Sequence, residues 1–143
     1  MLIRPARLED AAEIATLSTE LGYPTSEGEM KRRMEKLLQS AAYFLVVAEQ
    51  ESRVIGWVAA ERRLLLESGE RADIVGLIVT ENARRSGTGL ALVKAAEAWA
   101  IQQGMRTMAV RSSVARLESH PFYERLGYVR AKTQHAYLKQ LAG

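Results

Sequence analysis

A chain of 143 residues with Lys and Arg numbering 20 against 17 Asp and Glu carries a formal charge of +3, mild enough to argue against a nucleic-acid binder. With no cysteine and two histidines, disulfides, thiol catalysis and Cys-based zinc sites are excluded and a His-based metal site is not expected. No apolar run approaches membrane-spanning length and the N-terminus MLIRPARLED lacks a signal-peptide core, so we expect one domain over 1–143, cytoplasmic, without a membrane partner.

Leu2 to Pro5 reads as a short edge strand, because Pro5 cannot donate to a ladder. Asp10 and Glu13 form the pattern of a capping box before a helix whose apolar face is Ile14, Leu17 and Leu21, with Gly22 as its stop. Tyr23-Pro24-Thr25 is a loop. Ser26 and Glu29 form a second capping box, and Met30, Met34, Leu37 and Leu38 line the helix after it. Residues 42–48 and 54–63 have strand composition and are joined by the polar turn 49–52, a hairpin signal; Gly56-Trp57 marks a bulge in the second strand. Ser68-Gly69-Glu70 turns the chain into a β-branched apolar run, Ile74 to Val79.

Then comes Arg84-Arg85-Ser86-Gly87-Thr88-Gly89, followed at once by a helix with Leu92, Val93, Ala96, Trp99 and Ala100 on one face and Gly104 just beyond it. Residues 107–111 are a short strand, and the helical return predicts a right-handed parallel crossover. Pro121 suits the first turn of a short helix ended by Gly127. Residues 128–130 and 134–138 read as two closing strands.

The loop at 84–89 has the makings of an anion site. Glycine permits positive φ and close approach, and the first amides of a helix have no internal partner and sit at the positive end of its dipole. A strand, a glycine turn and a helix start therefore make a phosphate cradle, and two arginines add charge at its mouth. The pattern is neither a Walker loop nor a G-x-G-x-x-G dinucleotide loop.

In context the stretch resembles motif A of the GNAT superfamily of acetyl-CoA-dependent N-acetyltransferases. Arg84, Gly87 and Gly89 occupy the fixed positions of its Q/R-x-x-G-x-G/A loop, with Glu81 departing from the proline many members have after the strand. A second stretch, HPFYERLGY, is similar to the F-Y-x-x-x-G-F/Y block that follows motif A, and Arg116, His120, Phe122, Tyr123, Gly127, Tyr128, Tyr137 and Lys139 stand where small-amine acetyltransferases such as the aminoalkylphosphonate enzymes have theirs. The resemblance covers essentially the whole chain.

It implies a mixed α/β GNAT fold: a twisted, mostly antiparallel sheet of about six or seven strands with one splayed parallel pair, flanked by about four helices. It implies acetyl-CoA as cosubstrate, its pyrophosphate on the loop residues Arg84, Arg85, Ser86, Gly87, Thr88 and Gly89 and its pantetheine arm along the backbone of Leu77, Ile78 and Val79. Arg116 stands where many members have an asparagine that touches pantetheine, and as an arginine would meet a coenzyme phosphate or an acidic acceptor, and Tyr23, in the segment between the first two helices, would border the acceptor pocket. A homodimer is expected, since dimers are common in the family and the C-terminal strands are apolar and aromatic.

An amine attacking a thioester needs a base, and the departing thiolate is helped by a proton donor. Asp73, eleven residues before Arg84, matches the position of the acid in histone-acetyltransferase-like members and is the candidate base, through a water because its side chain is short. Gly76 stands where some small-amine relatives have a second acid. Tyr123 is the candidate acid, its phenol being protonated at neutral pH. The expected activity is direct transfer to a primary amine of a small molecule. A protein or peptide N-acetyltransferase and a non-catalytic acyl-CoA sensor are the alternatives, separated from it by turnover with amines.

Overall fold

The computed structural model describes residues 1–84, 86–111 and 119–142, and divides into two compact units, 1–111 and 112–143.

The first unit is a five-stranded sheet in the order β1 (Leu2–Pro5), β2 (Tyr43–Gln50), β3 (Arg53–Leu65), β4 (Gly69–Val79), β5 (Met108–Val110). Neighbours are antiparallel except for β4 and β5, which are parallel, as the helical crossover between them predicts. Pro5 lies on the edge strand, where its missing N–H breaks no ladder. Glu51 and Ser52, both at positive φ, make the two-residue turn between β2 and β3.

α1 (Ala11–Glu20) and α2 (Glu27–Leu37) cover one face of the sheet, where Ala11, Ile14, Leu17 and Met34 form a cluster with Val47, Val54 and Ile78. α3 (Thr88–Gln102) contributes the fully buried Leu92, Val93 and Ala96 to the core, and its Trp99 stacks on Phe44 of β2 at 5.3 Å between centroids. The bulge expected at Gly56-Trp57 falls one residue earlier. Ala48 pairs with Gly56 and Glu49 with Val54, so Ile55 is the extra residue, and it brings Val54 and Trp57, three apart, into the same apolar cluster. Gly56 follows the bulge because a Cβ there would lie 2.9 Å from the Ile78 carbonyl and 3.2 Å from Leu92.

The capping box at Ser26 forms as expected: Glu29 N–H donates to Ser26 Oγ at 3.1 Å and Ser26 N–H to Glu29 Oε1 at 2.9 Å. The one at Asp10 does not. A turn of 3₁₀ helix, Leu8–Asp10, precedes α1, so Asp10 accepts the Arg7 N–H and both oxygens accept from Arg4 at 2.8 and 2.9 Å. Glu13 instead accepts the N–H of Val54 at 2.8 Å.

The second unit holds α4 (Ser119–Arg125), with Pro121 near its start. The two closing strands expected at 128–130 and 134–138 are not strands; both segments are irregular and have no ladder partner among the described residues. Val129, Tyr137 and Leu138 are exposed there, so the apolar pattern that reads as strand has no sheet to pack on, and the described sheet has five strands, fewer than expected. Among the described residues no helix is long and apolar enough to cross a membrane.

Candidate functional site

The site is built on β4 and on the turn that leads from it into α3. β5 pairs with β4 only at Ala72, Asp73 and Ile74. β4 runs on to Val79 with β3 on its other side. Between these stretches β4 carries a bulge. Ala60 pairs with Ile74 and Ala59 with Gly76, leaving Val75 as the extra residue, 55% exposed. Ahead of the bulge Ala72 N–H donates across to the Thr107 carbonyl beside β5 at 2.9 Å. Beyond it Thr80 N–H donates to the Ile55 carbonyl at 2.9 Å, so by the alternation of an antiparallel ladder Ile78 and Gly76 bond to β3 as well. The N–H and C=O groups of Leu77 and Val79 therefore point away from β3, to the side where β5 offers no paired residue. Ile78, expected with them, has its backbone turned to Trp57 and its side chain in the core.

After Val79 the chain makes a 3₁₀ turn, Glu81–Ala83, then Arg84, which is exposed, and reaches α3 through Gly87. Gly87 is the N-cap in the left-handed conformation, φ +85°, with open space where a Cβ would be. The first intrahelical bond runs from Ala91 N–H to the Gly87 carbonyl at 3.0 Å. The amides of Thr88, Gly89 and Leu90 have no partner inside the helix, and among the described residues no side chain caps them, in contrast to Ser26 on α2. The hydroxyls nearby turn inward. Ser86 Oγ donates to the Ala83 carbonyl and lies 2.9 Å from Thr88 Oγ1, and Thr88 is buried against Met1 Sδ at 3.3 Å. The Ser86 N–H is also engaged, donating to the Ala83 carbonyl at 3.4 Å, so of these two residues it is Thr88 whose backbone N–H no described group takes. Arg85 and Arg116 lie outside the described residues.

Asp73 is the fifth residue of β4 rather than its start, and is 4% exposed. Arg71 Nε donates to its Oδ1 at 2.7 Å and Arg63 Nη1 to its Oδ2 at 3.0 Å, with a longer bond from Arg71 Nη2 at 3.4 Å. Arg63 and Arg71 face each other across the β3–β4 ladder, a like-charge pair that the carboxylate between them reconciles. The Arg63 guanidinium is held more firmly protonated by that hydrogen bond. Tyr23, 46% exposed, follows Gly22 at the end of α1, its N–H bonded to the Ser18 carbonyl at 2.9 Å.

Tyr123 lies in α4 of the second unit, half-buried, with its ring edge-on to Phe122 at 5.1 Å and to Tyr128 at 5.9 Å. The F-Y-x-x-x-G-Y block has a structural cause. Gly127, at φ +93°, donates to Glu124, and Tyr128 N–H reaches back to the Tyr123 carbonyl at 3.1 Å. This is a Schellman ending, whose accompanying contact between the first and last residues is the Tyr123–Tyr128 pair. The spacing of tyrosine, glycine and tyrosine follows from how the helix stops.

Two features were not legible in the sequence. The bulge at Val75 decides which amides face the gap, and its one signal was Gly76 inside a strand pattern. Trp57 covers Gly76: a Cβ there would lie 2.7 Å from the Cη2 and Cζ3 atoms of its indole.

The chain can be set beside known proteins on this geometry. Residues 8–128 match the family model described as Acetyltransferase (GNAT) family. Aminoglycoside N(6')-acetyltransferase type 1 of Klebsiella aerogenes is 26% identical over 148 residues, covering 98% of this chain and 97% of that one. Among solved structures, the aminoglycoside 6'-N-acetyltransferase AAC(6')-Ig of Acinetobacter haemolyticus superposes with a TM-score of 0.85 at 23% identity, over 99% of this chain and 100% of that one. The enzyme AAC(6')-Iy, in complex with a bisubstrate analogue of CoA and acetylneamine, does so with a TM-score of 0.87 at 21% identity, over 97% of both chains. Matched by the family model over 8–128, the chain belongs to the GNAT family of acetyltransferases.

Proposed function

We propose that this acetyltransferase moves the acetyl group of acetyl-CoA directly to a primary amine of a small molecule. The observation that carries the reading is the interrupted ladder: β4 outruns β5 by five residues, Val75 to Val79, and ends at the uncapped start of α3. The uncapped amides and Arg84 fit a pyrophosphate, and the outward amides and carbonyls of Leu77 and Val79 fit the two amides of a pantetheine arm. An arm laid from the loop back along β4 ends at the bulge, with the thioester beside Val75 and Gly76. When bound, acetyl-CoA supplies an activated acyl group whose thiol is a good leaving group.

The chain's own residues handle the protons. A base in direct contact with the amine needs an uncommitted lone pair, and Asp73 has three hydrogen bonds from guanidinium groups. We assign it the base role through one bridging water on its remaining lone pair. Tyr123 is assigned as the donor that protonates the departing thiolate. Tyr123→Phe keeps the ring pair with Tyr128 and the Schellman backbone, so folding survives. The expected result is a kcat lower by about 100-fold with acetyl-CoA affinity near parental. A parental kcat removes the acid role.

Because the family match runs through 8–128, we take 1–143 as one acetyltransferase domain, and we take the working form as a homodimer. Amino sugars head the acceptor screen, since relatives named as aminoglycoside N-acetyltransferases match nearly the whole chain. The test is thiol release from acetyl-CoA across a panel of amino sugars, polyamines, aminoalkyl acids and peptides. Turnover confined to small amines supports the proposal. Turnover with peptides alone, or acetyl-CoA binding with no turnover, overturns it.

A further inference from the structure

Arg63 and Arg71 stand directly opposite each other on the β3–β4 ladder, a placement that by itself is unfavourable for like charges. Asp73 meets both guanidiniums. Glu61 lies beside them, its Oε1 3.8 Å from Arg63 Nε, too long for a hydrogen bond. Side chains alternate along β3, so Ala59, Glu61 and Arg63 share one face, and their ladder partners are Gly76, Asp73 and Arg71. Gly76 fixes which face this is, because a Cβ there would meet Trp57, two residues before Ala59. Going outward along this face, the small Ala59 and Gly76 come first, then the acids Glu61 and Asp73, then the arginines.

Holding Asp73 does not use up what the arginines offer. Each guanidinium has five N–H donors. Asp73 takes one from Arg63, through Nη1, and two from Arg71, through Nε and Nη2. Arg63 keeps its Nη2 and Nε, and both arginine side chains are partly exposed. The bonds to Asp73 also draw both guanidiniums back to the row of the acids. That row lies two residues, about 6–7 Å of strand, from the row of Ala59 and Gly76.

We propose that Arg63, with Arg71 beside it, binds a carboxylate on the acceptor, so that the fitting acceptor is an ω-amino acid whose amine and carboxylate stand about 6 Å apart. This rests on the proposed placement of the thioester beside Val75 and Gly76. An amine held there lies next to the acids Glu61 and Asp73. The far end of the molecule reaches the free donors of Arg63, whose planar fork matches a carboxylate. An amine that ends in a neutral group leaves those donors to water and is held less tightly.

The test compares 4-aminobutyrate with its isostere 4-aminobutyramide, in which an amide replaces the carboxylate. The expected result is a kcat/KM about tenfold higher for the acid, expressed in KM rather than kcat, since the contact is remote from the reacting atoms. The preference should shrink as salt is raised from about 0.05 to about 0.5 M, because partly exposed charges are screened. A purely structural clamp would show neither effect, and neither needs a variant. Arg63→Gln leaves Asp73 its two bonds from Arg71 and should bring the ratio to about one. Equal kcat/KM for the two acceptors, a preference for the amide, turnover of neither, a preference that salt leaves unchanged, or the same ratio in parent and Arg63→Gln overturns the proposal. Calorimetry of acetyl-CoA on the parent separates this proposal from the reading it rests on. Absent binding there condemns the cradle and the gap, whereas binding, with turnover of other small amines and no preference for the acid, condemns only the role of Arg63.

Discussion

The two halves of β4 differ in composition and in role: three of the six residues before the bulge are charged and none of the four after it is. From Gly69 to Ile74 the strand is locked: β3 pairs along one side, β5 takes Ala72 to Ile74 on the other, and its buried acid, Asp73, is held by two arginines. From Gly76 to Val79 β3 is the one paired neighbour among the described residues, and the edge away from it leads into a helix start whose first amides have no described partner. The bulge at Val75 separates them. One extra residue shifts the parity of the strand, so Ala72 bonds toward β5 before it and Leu77 and Val79 point the same way after it. The locked half gives rigidity to the backbone whose open half, under the proposed function, offers its hydrogen bonds to the pantetheine arm, and rigid placement is what makes such bonds effective in binding.

The largest effect is expected at the far end of the open half. Gly89→Glu puts a carboxylate among the amides to which the proposed function assigns the pyrophosphate, and like charges at such a contact cost several kcal/mol. Acetyl-CoA affinity measured by calorimetry should fall by about 100-fold or more, with the fold retained by circular dichroism. Affinity equal to the parent's would show that the open half ends somewhere other than a phosphate cradle.

At the boundary, Gly76→Ala should be costly out of proportion to one methyl. Its Cβ would lie 2.7 Å from two ring atoms of Trp57, and overpacking of this kind costs about 1–3 kcal/mol. Combining it with Trp57→Leu should recover part of the loss, a coupling between touching sites that a double-mutant cycle reads from thermal or urea unfolding. Additive losses would mean that the indole yields freely.

Asp10 is the control for Asp73, because it is equally buried and also held by arginine, one guanidinium rather than two, but sits at the β1–α1 junction, away from β4. The Arg4 hydrogen bond holds its carboxyl below the usual range, against the opposing effect of burial. A depressed folded-state value means that the stabilisation is fully present above the ordinary carboxylate pKa, about 4, and is lost as pH falls below that through the folded value. Asp10→Asn should therefore lose about 2 kcal/mol of unfolding free energy at pH 7, and the deficit relative to the parent should shrink as the pH drops from about 4 toward 2. A deficit independent of pH would place its cause in packing rather than charge.

How far the sequence carried this comparison is uneven, for identifiable reasons. The apolar run Ile74 to Val79, the parallel crossover and the capping box at Ser26 rest on local patterns, periodicity and the chemistry of Ser and Glu, and form where those patterns place them, whereas Gly69 and Glu70, read as part of a turn, already belong to β4. The strand continuing to Val79 was legible, but which of its amides would be free was not, since parity depends on a bulge set by the pairing of two strands. Asp10 looked like a cap because the pattern D-x-x-E cannot show that Arg4 and Arg7 converge on that carboxylate. The two closing strands were misread for the opposite reason: alternating apolar residues such as Tyr137 indicate a strand only where a partner strand meets them.

The smallest effect is expected in the locked half, and it separates two roles for one carboxylate. Asp73→Asn keeps the shape of the side chain and leaves Arg63 and Arg71 facing each other without a negative charge between them. The arginine side chains are 33% and 27% exposed, so water takes up much of that repulsion and the stability loss should be about 1 kcal/mol, less than at Asp10. If Asp73 also relays the amine proton through a water, the variant should lose about tenfold in kcat and the acid limb of its rate–pH profile should move, while acetyl-CoA affinity holds. A profile that overlays the parent's, together with the small stability loss, would make Asp73 a clamp for the β3–β4 arm alone and leave deprotonation of the amine to solvent.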